Sequence, residues 1–255
     1  MGDSRQTGST TQPAVACEQC GLARICFPAA LPLHEIPRFS RLVRRGRTLS
    51  AGLHLCRAGD ELQAVYIVRA GTLKVVHTTP AGAESVVGFC LPGEVVGLDA
   101  IANQRHAHDV IALEHSSYCA LSLDKLQQLV EQTPGMRQEL IRVMSRTLGE
   151  THQRMTLLAR QGARALVAAF VLDLSVRLER RGLASSRFRL GMRWRDVASY
   201  LGLTFETVSR SLAALRRSGV LQAKARYLTV MNRTLLENVA GGAGCGDQKP
   251  SGVIP

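Results

Sequence analysis

Cys17, Cys20 and Cys26 place three thiols within ten residues, "CEQCGLARIC", at the spacing C-x2-C-x5-C. Thiolates are soft donors, and that density suits zinc or an iron-sulfur cluster. The stretch before them, "MGDSRQTGSTTQPAVA", has no continuous apolar run that could act as a secretory leader and reads as a flexible tail. The longest apolar stretch, "ALVAAFVLDLSV", is interrupted by Asp173 and falls short of the roughly 20 residues that cross a membrane. A soluble, cytoplasmic chain with no membrane partner is the expectation. In a reducing cytosol an odd count of seven cysteines points to metal ligation or redox work rather than disulfides. A tetrahedral site needs a fourth ligand, and Cys56, Cys90, Cys119 and Cys245 remain. Cys245 sits in a Gly-rich tail, while the other three lie in strand-like runs, so spacing does not choose among them.

A second chemistry lies in "WRDVASYLGLTFETVSRSLAALRRSG". Val197, Ala198 and Leu201 form the inward side of one short helix and Val208, Leu212 and Leu215 that of another, with Gly202 at the turn and Thr204 as cap. That is a helix-turn-helix. Glu206, Thr207, Ser209 and Arg210 point outward at the start of the second helix, where a recognition helix meets base edges. Arg pairs bidentately with guanine, Glu accepts from cytosine N4, and Ser bonds base or phosphate. The next stretch, "GVLQAKARYLTVMN", alternates like a two-stranded wing with Lys224 and Arg226 placed for phosphates. Net charge is +12, and between residues 160 and 226 fourteen basic residues face four acidic ones. Solvated charge on a plain helical hairpin explains the excess but not the turn, the cap and the outward polar set together.

Other elements must position these groups. The 255 residues allow two domains. From about Leu49 to Leu123, β-like runs punctuated by glycine predict an antiparallel sandwich or small barrel. After Pro134 the period changes, and Ile141, Met144, Leu148, Thr151, Met155 and Leu158 step by three and four as a heptad seam, a candidate homodimer helix. "RQGARALVAAFVLDLSVRL" continues as a second helix, ended by Gly182. The chain therefore reads as α+β: a tail over 1–16, a cysteine segment over 17–30, a β-roll sensory domain over 31–133, a dimerisation helix over 134–160, a winged helix-turn-helix over 161–232 and a C-terminal tail over 233–255.

"CEQCGLARICFP", "CRAGDELQAVYIVRAGTLKV", "GFCLPGEVVGLDAI" and "YLGLTFETVSRSL" together resemble the FNR branch of the CRP/FNR transcription regulators, from about Cys17 to Val230. The resemblance implies that Cys17, Cys20, Cys26 and Cys119 ligate an oxygen-labile 4Fe-4S cluster. It implies that Glu206, Ser209 and Arg210 contact bases of a palindromic TTGAT...ATCAA site in double-stranded DNA. RNA polymerase is an implied partner, with "TTPAGAE" around Gly82 and "ERRGLASSR" as candidate contacts. One position departs from the pattern: neutral Thr151 stands where an acidic residue is implied, beside Glu150. Rival readings are a zinc-stabilised regulator and a cyclic-nucleotide-gated one, although "GEVVGLDAIANQRHAHDVIAL" lacks the Arg-Ser or Arg-Thr pair that would hold a phosphate. No HExxH, GxSxG or phosphate loop suggests an enzyme.

Overall fold

The computed structural model describes residues 17–160 and 162–242. Its helices are α1 (Ile36–Leu42), α2 (Leu123–Gln132), α3 (Pro134–Arg160), α4 (Ala163–Glu179), α5 (Trp194–Leu201), α6 (Phe205–Arg217) and α7 (Arg233–Ala240). The strands are β1 (Arg44–Arg45), β2 (His54–Cys56), β3 (Ala64–Ala70), β4 (Leu73–Thr78), β5 (Glu84–Cys90), β6 (Val95–Val96), β7 (Asp109–Ala112), β8 (Ser117–Ser122), β9 (Arg187–Arg189), β10 (Leu221–Lys224) and β11 (Tyr227–Val230). Two four-stranded sheets, in the orders β1-β8-β3-β6 and β2-β7-β4-β5, build the roll, and β10-β11-β9 form a third sheet. The chain clusters into two compact units, Met1–Leu73 with Cys90–Met144, and Lys74–Phe89 with Ser145–Pro255.

In the first unit Val65, Ile67 and Leu121 from β3 and β8 pack with Phe27, Phe39, Leu126, Leu129 and Met136 in one core. Phe27 meets Phe39 edge-on, with ring centres 6.2 Å apart. Cys17, Cys26 and Cys119 border this core, as do Leu140 and Val143 of α3. The cysteine segment and the base of the long helix thus share one apolar interior. The segment also passes close over Gly93, whose φ is +90° and where a Cβ would stand 3.1 Å from the Ile25 carbonyl oxygen. Any side chain there has to push the segment away. The helices α1 and α2 were not legible as such, because α1 is seven residues long and α2 follows directly on β8.

In the second unit α4 is apolar around much of its girth, burying Leu166, Val167, Ala168, Phe170, Val171 and Leu174, and it packs against both α6 and α7. Gly182 ends the helix two residues past Arg180: its N–H bonds to Glu179 O at 2.9 Å and that of Leu183 to Leu178 O at 3.1 Å. The expected tail from 233 is instead helical as far as Ala240. Asn232 caps α7 by accepting from Leu235 N at 2.8 Å, and Leu236 is fully buried. Likewise the expected two-stranded wing has a third strand, since Arg187, Phe188 and Arg189 pair with β11. Among the described residues no helix is long and apolar enough to cross a membrane.

Candidate functional site

Four thiols line one pocket. Cys17 opens a short 3-10 turn, with its N–H on Ser40 Oγ at 3.1 Å, and successive turns carry the chain to Cys26, whose N–H bonds to Leu22 O at 2.8 Å. Cys119 arrives from a distant part of the sequence on β8, opposite Arg45 of β1 and Ile67 of β3. The pocket is a cavity of about 40 Å³ lined by Cys17, Cys20, Cys26 and Cys119 together with Leu22, Ile36, Phe39, Val43, Ile67 and Arg69. Cys56 and Cys90 lie outside this lining, and Cys245 falls outside the described residues. Among the described residues no three Cys, His, Asp or Glu side chains stand close enough to hold a single metal ion.

Burial pushes the Cys26 thiol up to about 12, and negative charge on Cys119 and Cys17 adds to it. Burial likewise raises Cys17 and Cys119, the latter partly offset by Arg69 and Arg45. With nothing bound the pocket favours neutral thiols, and a cationic centre reverses that preference by giving each thiolate an opposite charge. The two arginines were missed from sequence, because only strand pairing and roll closure bring them to the thiols.

Cys56 belongs elsewhere. It is buried on β2, and burial with the carboxylates Asp99, Asp60 and Asp109 pushes it up to about 12. At pH 8 it should react with iodoacetamide about a hundredfold slower than free cysteine, because its small thiolate fraction outweighs its greater intrinsic nucleophilicity. A rate equal to that of free cysteine would mean that β2 opens readily. Two of these carboxylates, Asp99 and Asp109, lie in the segment that would cradle a phosphate. Gly97, with φ +95°, leads into a 3-10 turn over Leu98–Ala100, where Asp99 Oδ2 meets His108 Nδ1 at 3.3 Å. Arg105 donates to Gly59 O at 2.7 Å and stands 3.9 Å from Glu61.

The helix-turn-helix is formed by α5 and α6. Gly202 takes a left-handed φ of 64°, and the Leu203 N–H closes onto Ala198 O at 2.9 Å. A side chain at Gly202 has to adopt that disfavoured conformation at the very turn that aims α6. Thr204 then accepts from Thr207 N at 3.2 Å as the cap of α6. Val208, Leu212 and Leu215 are buried, as is Ser211, while Glu206, Ser209 and Arg210 are exposed and Thr207 is half-buried. Arg210 Nη2 lies 3.4 Å from Thr207 Oγ1. Lys224 and Arg226 flank the wing turn at Ala225 (φ 53°), and both are exposed.

On α3, Ile141, Met144, Leu148, Met155 and Leu158 are between 39% and 63% exposed, a continuous apolar stripe interrupted only by Thr151. Thr151 turns its hydroxyl inward to Thr147 O at 2.8 Å. A row of large apolar side chains left in water on one helix face is the mark of a surface that pairs.

The organisation of these elements matches known proteins over nearly the whole chain. Residues 46–133 match the cyclic nucleotide-binding domain and residues 167–239 the Crp-like helix-turn-helix domain. The fumarate and nitrate reduction regulatory protein of Yersinia pestis is 37% identical over 228 residues, 89% of this chain and 91% of that one. Its namesake from Escherichia coli K12 is 36% identical over the same lengths. Among solved structures, FixK2 from Bradyrhizobium japonicum superposes with a TM-score of 0.71 at 27% identity, covering 77% of this chain and 96% of that one. With relatives so similar across both the roll and the helix-turn-helix, this chain belongs to the fumarate and nitrate reduction regulator family of DNA-binding transcription regulators.

Proposed function

We propose that the chain is an oxygen-responsive transcription regulator that carries a 4Fe-4S cluster on Cys17, Cys20, Cys26 and Cys119 and binds a palindromic site as a homodimer. The observation that carries this reading is the convergence of exactly those four thiols, from two distant segments, on one pocket. Four soft thiols would make a complete ligand set for such a cluster, and the relatives named as fumarate and nitrate reduction regulatory proteins favour it over zinc. When bound, the cluster supplies oxidisable sulfide-bridged iron. The residues do the rest. Burial by Ile36, Phe39 and Ile67 limits water, Arg45 and Arg69 add positive charge near Cys119, and the shared core links the segment to the base of α3. The carboxylates around Cys56, and the absence of the Arg-Ser pair, weigh against a cyclic nucleotide in the roll.

On DNA, α6 enters the major groove with Glu206, Ser209 and Arg210 toward the bases, and the Arg210 guanidinium reaches Thr207 Oγ1 through Nη2 at 3.4 Å. Arg210→Ala should cost about 1 to 3 kcal/mol, felt mainly at one base pair per half-site, whereas Lys224→Ala should lower the salt slope by about one unit and leave base preference alone. Equal weakening by Arg210→Ala on every sequence would make it a phosphate contact. RNA polymerase is the further partner in this reading, through the turn at Gly82 and the 179–187 loop. The test of the whole is iron and acid-labile sulfide in protein purified without air, with affinity for a TTGAT...ATCAA duplex measured before and after air. Constant affinity while the cluster disappears sinks the switch. Zinc in place of iron sinks the cofactor.

A further inference from the structure

Val197, Ala198 and Leu201 are the buried residues of α5, which packs against α6, and Asp196, Ser199 and Tyr200 lie elsewhere on its surface. All three are engaged within the second unit. Lys74 Nζ of β4 donates to Asp196 Oδ1 at 2.9 Å, with the two side chains 19% and 14% exposed. The Val86 N–H of β5 donates to Ser199 Oγ at 2.9 Å. Arg154 of α3 lays its guanidinium 3.7 Å from the centre of the Tyr200 ring, donates to Tyr200 O at 2.7 Å and donates to Val87 O. Tyr200 in turn packs its ring 5.1 Å from that of Phe89 and 5.8 Å from that of Phe170.

Arg154 also keeps its Nε buried without a hydrogen-bond partner among the described residues. Burying a guanidinium with one donor unmet is costly, and the planar group stays there because stacking and two carbonyls hold it in a single orientation. Its position matters as much as its contacts. Arg154 follows Thr151 by three residues on α3 and precedes Met155, so it rises from the same turns as the seam. The helix that pairs and the helix that precedes the recognition helix are therefore fastened by one side chain, and the β4–β5 hairpin is fastened to the same place by a second.

We propose that Arg154 and the Lys74–Asp196 pair are positioning residues that fix α5, and with it α6, on the long helix and the hairpin, so that a dimer presents its two recognition helices at the spacing of a palindrome. This rests on the DNA-binding reading above. Each module can grip one half-site without the fastening. Gripping two at once requires both to be aimed, and a loosely held pair loses effective concentration at the second half-site.

The test uses full-length protein prepared without air and two duplexes, one with the TTGAT...ATCAA palindrome and one with a single half-site. Wild-type protein is titrated first, and failure to prefer the palindrome would overturn the DNA reading itself. Lys74→Met keeps the apolar stem and lies off the seam helix. It should lose about tenfold on the palindrome, match wild type on the half-site and keep the wild-type dimer fraction in sedimentation. Arg154→Lys should behave alike, since an ammonium can neither stack flat nor reach two carbonyls at once. Lys74→Arg, which preserves the ion pair, should recover palindrome binding to within about twofold. Trp194, the only tryptophan and two residues from Asp196, should become easier to quench with acrylamide in Lys74→Met. Equal loss on both duplexes, unchanged binding, or tighter binding by Lys74→Met each overturns the proposal, the last by making the contact inhibitory.

Discussion

Cys119→Ser, purified without air, should lose its visible absorbance, iron and sulfide together, and with them about a hundredfold or more of its affinity for a palindromic operator. Serine oxygen is a hard donor that stays protonated near neutral pH, so it does not replace a thiolate on iron. Cys119 is also the thiol with the firmest footing. It sits on β8 with strands on both sides, whereas the other three ride on a run of turns. The exchange removes one half-buried sulfur, so the free energy of unfolding in urea should differ from that of cluster-free wild type by no more than about 1 kcal/mol. That separates loss of the cluster from loss of the fold. Cys56→Ser is the matching control. It buries a hydroxyl and should cost about 1 to 2 kcal/mol of stability while keeping iron and operator affinity, because Cys56 lines no part of the pocket. Full iron in Cys119→Ser would place the fourth ligand elsewhere.

The helix-turn-helix was readable almost residue for residue. Capping by Thr204, the turn at Gly202 and the buried trio Val208, Leu212 and Leu215 are all encoded within a few positions of one another. The long helix over Pro134–Arg160 was equally plain, since a heptad pattern signals itself along its whole length. The strands of the roll followed from glycine punctuation. What composition left open was the fourth thiol. Cys56, Cys90 and Cys119 look alike in sequence, and only the pairing of β8 with β1 and β3 brings one of them to the cysteine segment. Family resemblance named Cys119 where periodicity was silent. The β9 strand and the α7 helix were lost for a different reason. The three residues Arg187–Arg189 place one phenylalanine between two arginines and are too short to show alternation, and α7 has only eight residues, whose cap Asn232 resembles a loop end as much as a helix start. Arg154 gave no local signal at all, because its partners lie 46 and 67 residues away.

Leu148→Glu should abolish palindrome binding to a similar degree as loss of the cluster, by another route. Leu148 is 57% exposed in a single chain, so the substitution costs little folding energy, yet it places a carboxylate at the centre of the stripe that runs from Ile141 to Leu158. In a parallel pair, two such carboxylates face each other across the seam and must be desolvated without a partner. Sedimentation should show monomer at concentrations where the unmodified protein is dimeric, while iron content and half-site binding stay unchanged. The departure at Thr151 sharpens the comparison. Its hydroxyl is satisfied on Thr147 O, so two threonines can meet across the seam without repulsion, and the neighbouring Glu150 stands 3.9 Å from Arg180. Cluster-free protein should therefore retain a measurable dimer fraction, and Thr151→Asp should remove it while leaving the cluster-loaded dimer weakened by only about tenfold. The base of α3 shares its core with the cysteine segment, and on the proposed reading that is where a loaded pocket would add rigidity to offset a repulsive seam. If cluster-free wild type and cluster-free Thr151→Asp are equally monomeric, the seam residue does not set the threshold, and control of pairing lies entirely in the packing of Met136, Leu140 and Val143 beneath the thiols.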